Sequence, residues 1–214
     1  MKNLLDHLRV SVIATVVLAI LVCGIYPLIV WAVGQAAFHD KANGSLIVRN
    51  RKVIGSRLLA QGFTQAKYFH PRPSAAGNGY DPTATGGTNL GPTSEKLISG
   101  IHKKTPDGKD DPANFDGVRD LVIAYRQENG LSQDTPVPAD AVTRSGSGLD
   151  PHISVRNAMF QVPRVAKARG VDEHVVHRLI HQNTEREDLG ILGEARVNVL
   201  MLNLALDDLQ SARP

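Results

Sequence analysis

Residues 10–33 read VSVIATVVLAILVCGIYPLIVWAV, and this stretch divides the chain into an apolar N-terminal segment and a polar remainder. No Asp, Glu, Lys or Arg stands between Arg9 and Asp40. A helix of about 24 residues is about 36 Å long, which exceeds the hydrocarbon thickness of a bilayer, about 30 Å. The sequence therefore predicts a transmembrane helix over residues 10–33, preceded by an N-terminal tail over residues 1–9.

A cleaved signal peptide is the competing interpretation of the same run. The apolar region of a signal peptide is about 7 to 15 residues long and ends at a small-x-small site, which Gly34 and Ala36 resemble. The run in this chain is longer than that, so a retained single span is favoured. Pro27 cannot donate a backbone hydrogen bond, so a bend is expected in the second half of the helix.

The overall composition is that of a folded protein with little net charge. The 214 residues include 24 Lys and Arg against 21 Asp and Glu, which gives a formal charge of +3, and aromatic residues make up 5%. A nucleic-acid-binding domain usually carries a concentrated basic face, which is missing here, so no nucleic acid is expected as a partner. The single cysteine, Cys23, excludes an intramolecular disulfide and a cysteine-rich metal site.

The polar remainder, residues 40–214, has the length of one domain. Hydrophobic periodicity and turn residues predict its elements. In chain order these are a β-hairpin over 45–59 with a polar turn at 49–52, an irregular loop over 68–92, helices that begin at Thr93 or Ser94 and near Val118, helices over 154–169 and 171–180, a strand over 195–202 and a helix over 204–210. Strands near both ends with helices between them predict an α+β fold, a mixed α/β soluble domain with a small sheet.

A short glycine-rich segment before the 154–169 helix has features that favour the binding of an anion. It consists of Ser145, Gly146, Ser147 and Gly148. Glycines let backbone N–H groups turn toward a phosphate, and a helix that begins at Ser154 adds partial positive charge. The alternative is that the glycines form a tight turn, that Ser154 caps the helix, and that Asp150 accepts hydrogen bonds from nearby amides.

Motifs of a self-sufficient enzyme are missing from the sequence. It has no Walker A loop, no G-x-S-x-G motif, no Rossmann fingerprint and no phosphorylation motif of the DKTGT type. His174, His177 and His181 share one face of a predicted helix, but the apolar residues of that helix lie opposite, so these histidines are expected to face solvent. The sequence therefore predicts a protein without a catalytic site and without a metal site.

Several short motifs in a fixed order resemble the C-subunit family of the Kdp potassium-transporting P-type ATPases, and they cover nearly the whole chain. SGSGLDPHIS over 145–154 and RVNVLxLNLALD over 196–207 are the most specific. The others are Gly24-x-Tyr26-Pro27-Leu28, Asn43-Gly44-Ser45, Gly55-Ser56, Tyr68-Phe69-His70, Arg72-Pro73-Ser74-Ala75-Ala76, Tyr80-Asp81, Gly86-Gly87-x-Asn89-Leu90-Gly91-Pro92 and Gln161-Val162-x-Arg164-Val165-Ala166.

The resemblance implies a single-pass accessory subunit of a bacterial inner-membrane complex that imports potassium at the expense of ATP. It implies two protein partners, a channel-like potassium subunit and a P-type ATPase subunit, together with membrane lipid. In that family the C subunit is described as a catalytic chaperone that raises the nucleotide affinity of the ATPase subunit. A role of this kind would have residues 145–148 help to hold ATP in a site shared with the ATPase subunit.

The alternative is an extracytoplasmic structural subunit that caps the channel subunit by its span and the 68–92 loop, without contact to a nucleotide. The charges around the span leave its orientation open. Lys2 and Arg9 precede it and five cations between residues 41 and 57 follow it, but the positive-inside rule governs short loops rather than large domains. The N-inside anchor that the resemblance implies favours an extracytoplasmic domain.

Overall fold

A computed structural model describes residues 2–211, and the chain divides into two compact units, Met1–Ser56 and Arg57–Pro214. The elements of the first unit are α1 (Lys2–Leu18), a π-helical segment (Ala19–Ile25), α2 (Tyr26–Ala37), α3 (His39–Ala42), β1 (Leu46–Arg49) and β2 (Lys52–Ser56). The elements of the second unit are α4 (Glu95–Ser99), α5 (Val118–Glu128), α6 (Ala139–Val142), β3 (His152–Ser154), α7 (Val155–Arg169), α8 (Glu173–Gln182), β4 (Thr184–Glu185), β5 (Arg196–Asn198) and α9 (Val199–Ser211).

The first unit is dominated by one apolar helix, Asn3–Ala37, whose 35 residues are enough to cross a membrane. Among residues 2–211, none of the most apolar part of this helix is buried, as expected for a surface that faces lipid. The predicted N-terminal apolar helix is thus confirmed. Helical structure starts before residue 10, because Leu4, Leu5 and Leu8 continue the apolar surface and favour helix.

Pro27 changes the hydrogen bonding of this helix instead of ending it. Pro27 has no N–H to donate to the carbonyl four residues earlier, so the regular ladder is interrupted there. The preceding segment widens into a π-helix, in which the N–H of Tyr26 donates to the carbonyl of Leu21, five residues back. The disturbance expected in the second half of the span therefore takes the form of a π-helical segment.

The predicted hairpin is confirmed as β1 paired antiparallel with β2. Asn50 and Arg51, between the strands, have φ angles of 50° and 62°. Two successive residues in the left-handed region form a type I′ turn, whose twist matches that of a two-residue hairpin. The polar turn expected over 49–52 is therefore a tight turn.

The second unit is an α+β fold in which the antiparallel sheet β3-β5-β4 packs with three helices. The core lies between α7, α8 and α9, and its side chains include Phe69, Ile153, Val162, Ile180 and Leu202. The hydroxyl of Ser154 accepts a hydrogen bond from the N–H of Asn157 and caps α7, while Gly170 ends that helix in the left-handed conformation. Both ends of α7 follow the sequence prediction.

The strand predicted over residues 195–202 is wrong beyond Asn198. Strand β5 stops there and α9 begins at Val199, because the side chain of Asn198 accepts a hydrogen bond from the N–H of Met201 and so caps the helix. Residues 199–202 are continuously apolar because α9 is buried on several sides, with Val199, Leu200 and Leu202 all in the interior, and a buried strand shows the same kind of run.

Two buried amide side chains hold the start of the irregular loop in the core. Asn203 of α9 accepts a hydrogen bond from the N–H of Phe69 at 2.8 Å and donates to its carbonyl at 3.0 Å. Gln161 of α7 bonds in the same way to His70, at 2.8 and 3.1 Å. Each amide thus replaces a neighbouring β-strand for one residue, and we call these two pairs the amide clamp.

Two arginines of α7 bind the backbone carbonyls of the residues just before Phe69. The guanidinium of Arg164 donates to the carbonyls of Ala66 and Tyr68 at 2.8 and 2.9 Å. The guanidinium of Arg169 donates to the carbonyl of Lys67 at 2.6 Å. The 66–70 backbone is therefore fixed by side chains of α7 and α9 rather than by a sheet.

We expect the amide clamp to be a main source of stability. Asn203→Leu leaves the N–H and carbonyl of buried Phe69 without partners, at a cost of about 2–4 kcal/mol in the free energy of unfolding. Urea unfolding of the full chain in detergent measures this cost. Gln182→Leu, the same kind of change at an exposed position of α8, is the matched control and should cost less than about 0.5 kcal/mol. Equal stabilities of the two variants would contradict the clamp.

Candidate functional site

The two loops that the sequence singles out meet in the second unit. The hydroxyl of Ser74 donates to the carbonyl of Gly148 at 2.6 Å. The carbonyl of Ser147 accepts hydrogen bonds from the N–H of Gly86 at 2.9 Å and from the hydroxyl of Thr85 at 2.7 Å. We call this contact between residues 72–87 and residues 145–150 the loop junction, and it contains all four predicted site residues.

The glycines of the loop junction allow two backbones to approach closely. Gly148 has a φ of +70°, and a Cβ there would lie 2.7 Å from both the nitrogen of Ala76 and the carbonyl oxygen of Gly86. A Cβ on Gly87 would lie 3.0 Å from the carbonyl oxygen of Gly146. A side chain at Gly148 would therefore be excluded by sterics and by backbone conformation alike.

Part of the predicted phosphate-binding segment is accessible. Ser145 and Gly148 are buried, whereas Gly146 and Ser147 are exposed at the apex of the turn. The hydroxyl of Ser147 accepts a hydrogen bond from the N–H of Leu149 at 3.1 Å, which tightens the turn. Any ligand of this segment would meet the apex, Gly146 and Ser147, rather than all four residues.

The N-terminus of α7 already holds a carboxylate. Asp140 accepts hydrogen bonds from the N–H of Ser154 at 2.7 Å, from the hydroxyl of Ser154 at 2.9 Å, and from the side-chain amide of Asn157 at 3.0 Å. A negative charge at this end is stabilised by the free N–H groups and the helix dipole. The helix start that the sequence offers to a phosphate is therefore occupied by Asp140, which local sequence patterns do not reveal.

The nearby charges of Arg72 and Asp150 neutralise each other. The guanidinium of Arg72 donates to the carboxylate of Asp150 at 3.0 Å, and Asp150 also accepts from the N–H of His152 at 3.0 Å. Burial by itself would raise the pKa of Asp150, but the hydrogen bonds from His152 and Arg72 outweigh it and lower the pKa to about 2. The predicted bonding of Asp150 to a nearby amide is confirmed.

One group of potential metal ligands lies elsewhere in the described residues. His102, Asp116 and Asp120 place their ligand atoms within 4.8 Å of one another. Asp120 already accepts hydrogen bonds from the N–H of Gly117 at 2.8 Å and from His102 at 2.9 Å. The hydrogen bond from the N–H of Gly117 is the main reason that the pKa of Asp120 is lowered. The same bond caps the N-terminus of α5.

The capping role of Asp120 has a sequence signal. In a capping box, an acidic residue stands three positions after the residue that precedes the helix. Gly117 and Asp120 have this spacing.

His174, His177 and His181 lie on α8, outside this group of potential metal ligands. His174 and His181 are exposed as predicted, whereas His177 is half-buried, with its Nδ1 3.1 Å from the sulfur of Met159. On the same helix Val176 and Ile180 are buried, as the apolar pattern predicts.

Comparison with known proteins shows extensive similarity along the chain. The family model described as K+-transporting ATPase, c chain (KdpC) matches residues 8–208. The potassium-transporting ATPase KdpC subunit of Mycobacterium tuberculosis is 51% identical over 208 residues, which cover 97% of this chain and 99% of that protein. The subunits of the same name from Koribacter versatilis and Rhodospirillum rubrum are 46% and 45% identical, over 98% and 96% of this chain and 96% and 97% of those proteins.

The hydrogen bonds that Asp150 accepts from His152, together with its ion pair with Arg72, make stability depend on acid pH. The pKa of Asp150 falls from 3.8 to about 2 on folding, so its contribution is complete above pH 4 and is lost as the pH falls toward 2. Its side chain is 30% exposed, so after solvent screening we expect a contribution of about 1 kcal/mol. Unfolding of the full chain in detergent at pH 4 and pH 2.5 measures it.

The variant Asp150→Asn should lose less stability between these two pH values than the unchanged protein. Asp134→Asn, at an exposed position, is the control and should follow the unchanged protein. If Asp150→Asn and the unchanged protein lose the same free energy of unfolding between pH 4 and pH 2.5, protonation of Asp150 is not coupled to folding.

Proposed function

Because this chain belongs to the KdpC family, the c chains of K+-transporting ATPases, we propose that it is a structural accessory subunit of a high-affinity, ATP-driven potassium uptake complex. It is anchored in the cell inner membrane by the apolar helix Asn3–Ala37. Its second unit, Arg57–Pro214, which we call the polar unit, lies on the extracytoplasmic side, where it caps the channel-like potassium subunit and supports assembly with the P-type ATPase subunit.

The ordered but irregular 68–92 loop is the observation that carries this proposal. The loop contains no helix or strand, yet the amide clamp fixes its start and the loop junction fixes its middle. Within it, the hydroxyl of Ser74 also accepts hydrogen bonds from the N–H groups of Ala76 and Tyr80. A loop that is fixed before binding loses little conformational entropy on docking, so it is suited to a protein interface.

The polar side chains at the loop junction are engaged in structural bonds, which supports a role without catalysis. The hydroxyl of Ser74, a candidate nucleophile, donates to the carbonyl of Gly148 rather than to a base. Arg72 and Asp150 are paired, and Asp140 is held at the start of α7. We therefore expect ATP hydrolysis to take place on the partner ATPase subunit.

The extracytoplasmic orientation agrees with the two cations that precede the apolar run. Lys2 and Arg9 lie close to its first end, and cations close to the end of a span favour the cytoplasmic side. Four of the five cations that follow the span lie in the first unit, before the large second unit. The rule governs short loops, and large domains are translocated largely regardless of charge, so these cations do not decide the orientation. The polar unit then lies on the side of the membrane from which potassium is taken up.

A catalytic chaperone that raises the ATP affinity of the ATPase subunit is the second candidate. The exposed apex of the glycine-rich turn, Gly146 and Ser147, favours it, because its backbone is accessible to a phosphate. Direct contact with cytoplasmic ATP requires the polar unit on the cytoplasmic side. In the orientation that we propose, an effect on ATP affinity passes through the assembled complex instead.

Gly146 allows the two candidates to be separated. A Cβ added at Gly146 would have no described atom within 4 Å, and the φ angle of Gly146 lies outside the left-handed region. The variants Gly146→Ala and Gly146→Asp should therefore both fold. Gly146→Asp places a negative charge where a phosphate would bind, and Gly146→Ala is its matched control. The measurement is the ATP concentration for half-maximal ATPase activity of the purified complex that contains each variant.

We expect this ATP concentration to stay within about twofold of the unchanged complex for both variants, because the loop does not touch the nucleotide. An increase of about tenfold for Gly146→Asp alone, with unchanged subunit composition, would show that the nucleotide lies at this loop. That result would replace the structural role with the nucleotide-binding one.

A further inference from the structure

The turn before β5 exposes a group of large apolar side chains. Leu189, Ile191 and Leu192 are 89%, 81% and 55% exposed. We call these three residues the apolar tip. Single exposed apolar residues are ordinary on protein surfaces, but three within four positions form a patch, and such patches mark interaction sites.

The backbone under the apolar tip is shaped by hydrogen bonds and by an ion pair. Asp188 and Leu192 exchange two backbone hydrogen bonds, at 2.8 and 2.9 Å, which close the turn. The guanidinium of Arg196 in β5 lies 3.6 Å from the carboxylate of Asp188 and 3.1 Å from that of Glu185. These contacts tie the turn to the sheet, so the tip is presented from a fixed base.

Leu189 adopts a backbone conformation that a leucine rarely takes. Its φ is +56°, in the left-handed region, and Gly190 follows with a φ of +75°. This conformation is unfavourable for a residue with a Cβ. Burial of the Leu189 side chain does not offset that cost, since the side chain is 89% exposed. Strain of this kind is often kept where it serves binding.

The charges around the apolar tip indicate what covers it. Glu187 and Glu194 flank the tip directly and Arg186 lies beyond Glu187; all three are exposed, and no ion pair is found for any of them among residues 2–211. The excess charge next to the tip is therefore acidic. Acidic flanks disfavour the anionic surface of a bilayer, which attracts Lys and Arg. They also disfavour a symmetric contact with a second copy, which would bring like charges together.

We propose that the apolar tip docks into an apolar pocket, bordered by Lys or Arg, on a different subunit of the potassium-transporting complex. The tip supplies the apolar anchors, and Glu187 and Glu194 face the cations at the border of the pocket. This inference rests on the proposed role as a structural subunit and adds a specific docking element to it.

The test is the yield of the complex when variants of this chain are co-expressed with the other subunits and purified through one of them. Leu189→Ser with Ile191→Ser removes the two most exposed anchors and should lower the amount of this chain in the complex at least tenfold. Glu187→Lys with Glu194→Lys leaves the anchors in place and should lower it several-fold, with a greater loss at low salt than at high salt.

Ile123→Ser is the matched control, because Ile123 on α5 is also large, apolar and 59% exposed. It should leave the yield of the complex unchanged. All variants alter exposed side chains, and an unchanged thermal midpoint of each purified chain shows that it is folded. A normal yield with both double variants, or an equal loss with Ile123→Ser, would overturn the proposal.

Two further measurements on the full chain test the other occupants. In the full chain reconstituted through its apolar helix in vesicles of anionic phospholipid, with Cys23 replaced, quenching of a fluorophore at Ile191→Cys by brominated lipid, together with a normal yield of the complex for the Leu189→Ser, Ile191→Ser variant, would assign the tip to lipid. Conversion of a dimer to a monomer by the same variant, with a normal yield, would assign it to a second copy. Because these readouts do not involve ATP dependence, their outcome is independent of the Gly146 experiment.

Discussion

An irregular chain segment that crosses a protein core must find partners for its buried backbone groups, and the second unit depends on how this is done for residues 66–70. Within residues 2–211 no strand lies beside Phe69 and His70, so Asn203 and Gln161 supply the missing hydrogen bonds from α9 and α7. Both amides are 1% exposed, and the Phe69 side chain between these helices is fully buried. A buried amide is costly when its polar atoms lack partners, and here the side-chain oxygen and nitrogen of both amides are hydrogen-bonded.

The shape of the 68–92 loop follows from this clamp. Once its start is fixed in the core, the loop meets the glycine-rich turn, where Gly148 is the residue that allows the two backbones to come together. The predicted phosphate site is thereby mostly used for packing, and the start of α7 is filled by Asp140. Because the glycine-rich turn and the start of α7 are used for packing, we prefer a docking role to a nucleotide-binding one.

Local patterns predicted much of this fold, and long-range contacts explain what they missed. The apolar run, the polar turn at Asn50 and the serine and glycine at the ends of α7 act over a few residues, so sequence reveals them. The boundary between β5 and α9 was missed, since a helix buried on several sides resembles a strand in its apolar pattern. Asn203 bonds to a residue 134 positions away, and no local pattern predicts such a pair.

The side of the membrane that holds the polar unit tests the central claim most directly. Cys23, the single cysteine, can be replaced, and Gln133→Cys or Asn3→Cys then offers one thiol at an exposed position of the polar unit or of the N-terminal helix. A membrane-impermeant maleimide is applied to spheroplasts that contain the assembled complex. We predict that Gln133→Cys is labelled in intact spheroplasts and Asn3→Cys only after lysis. The reverse pattern would contradict an extracytoplasmic structural subunit.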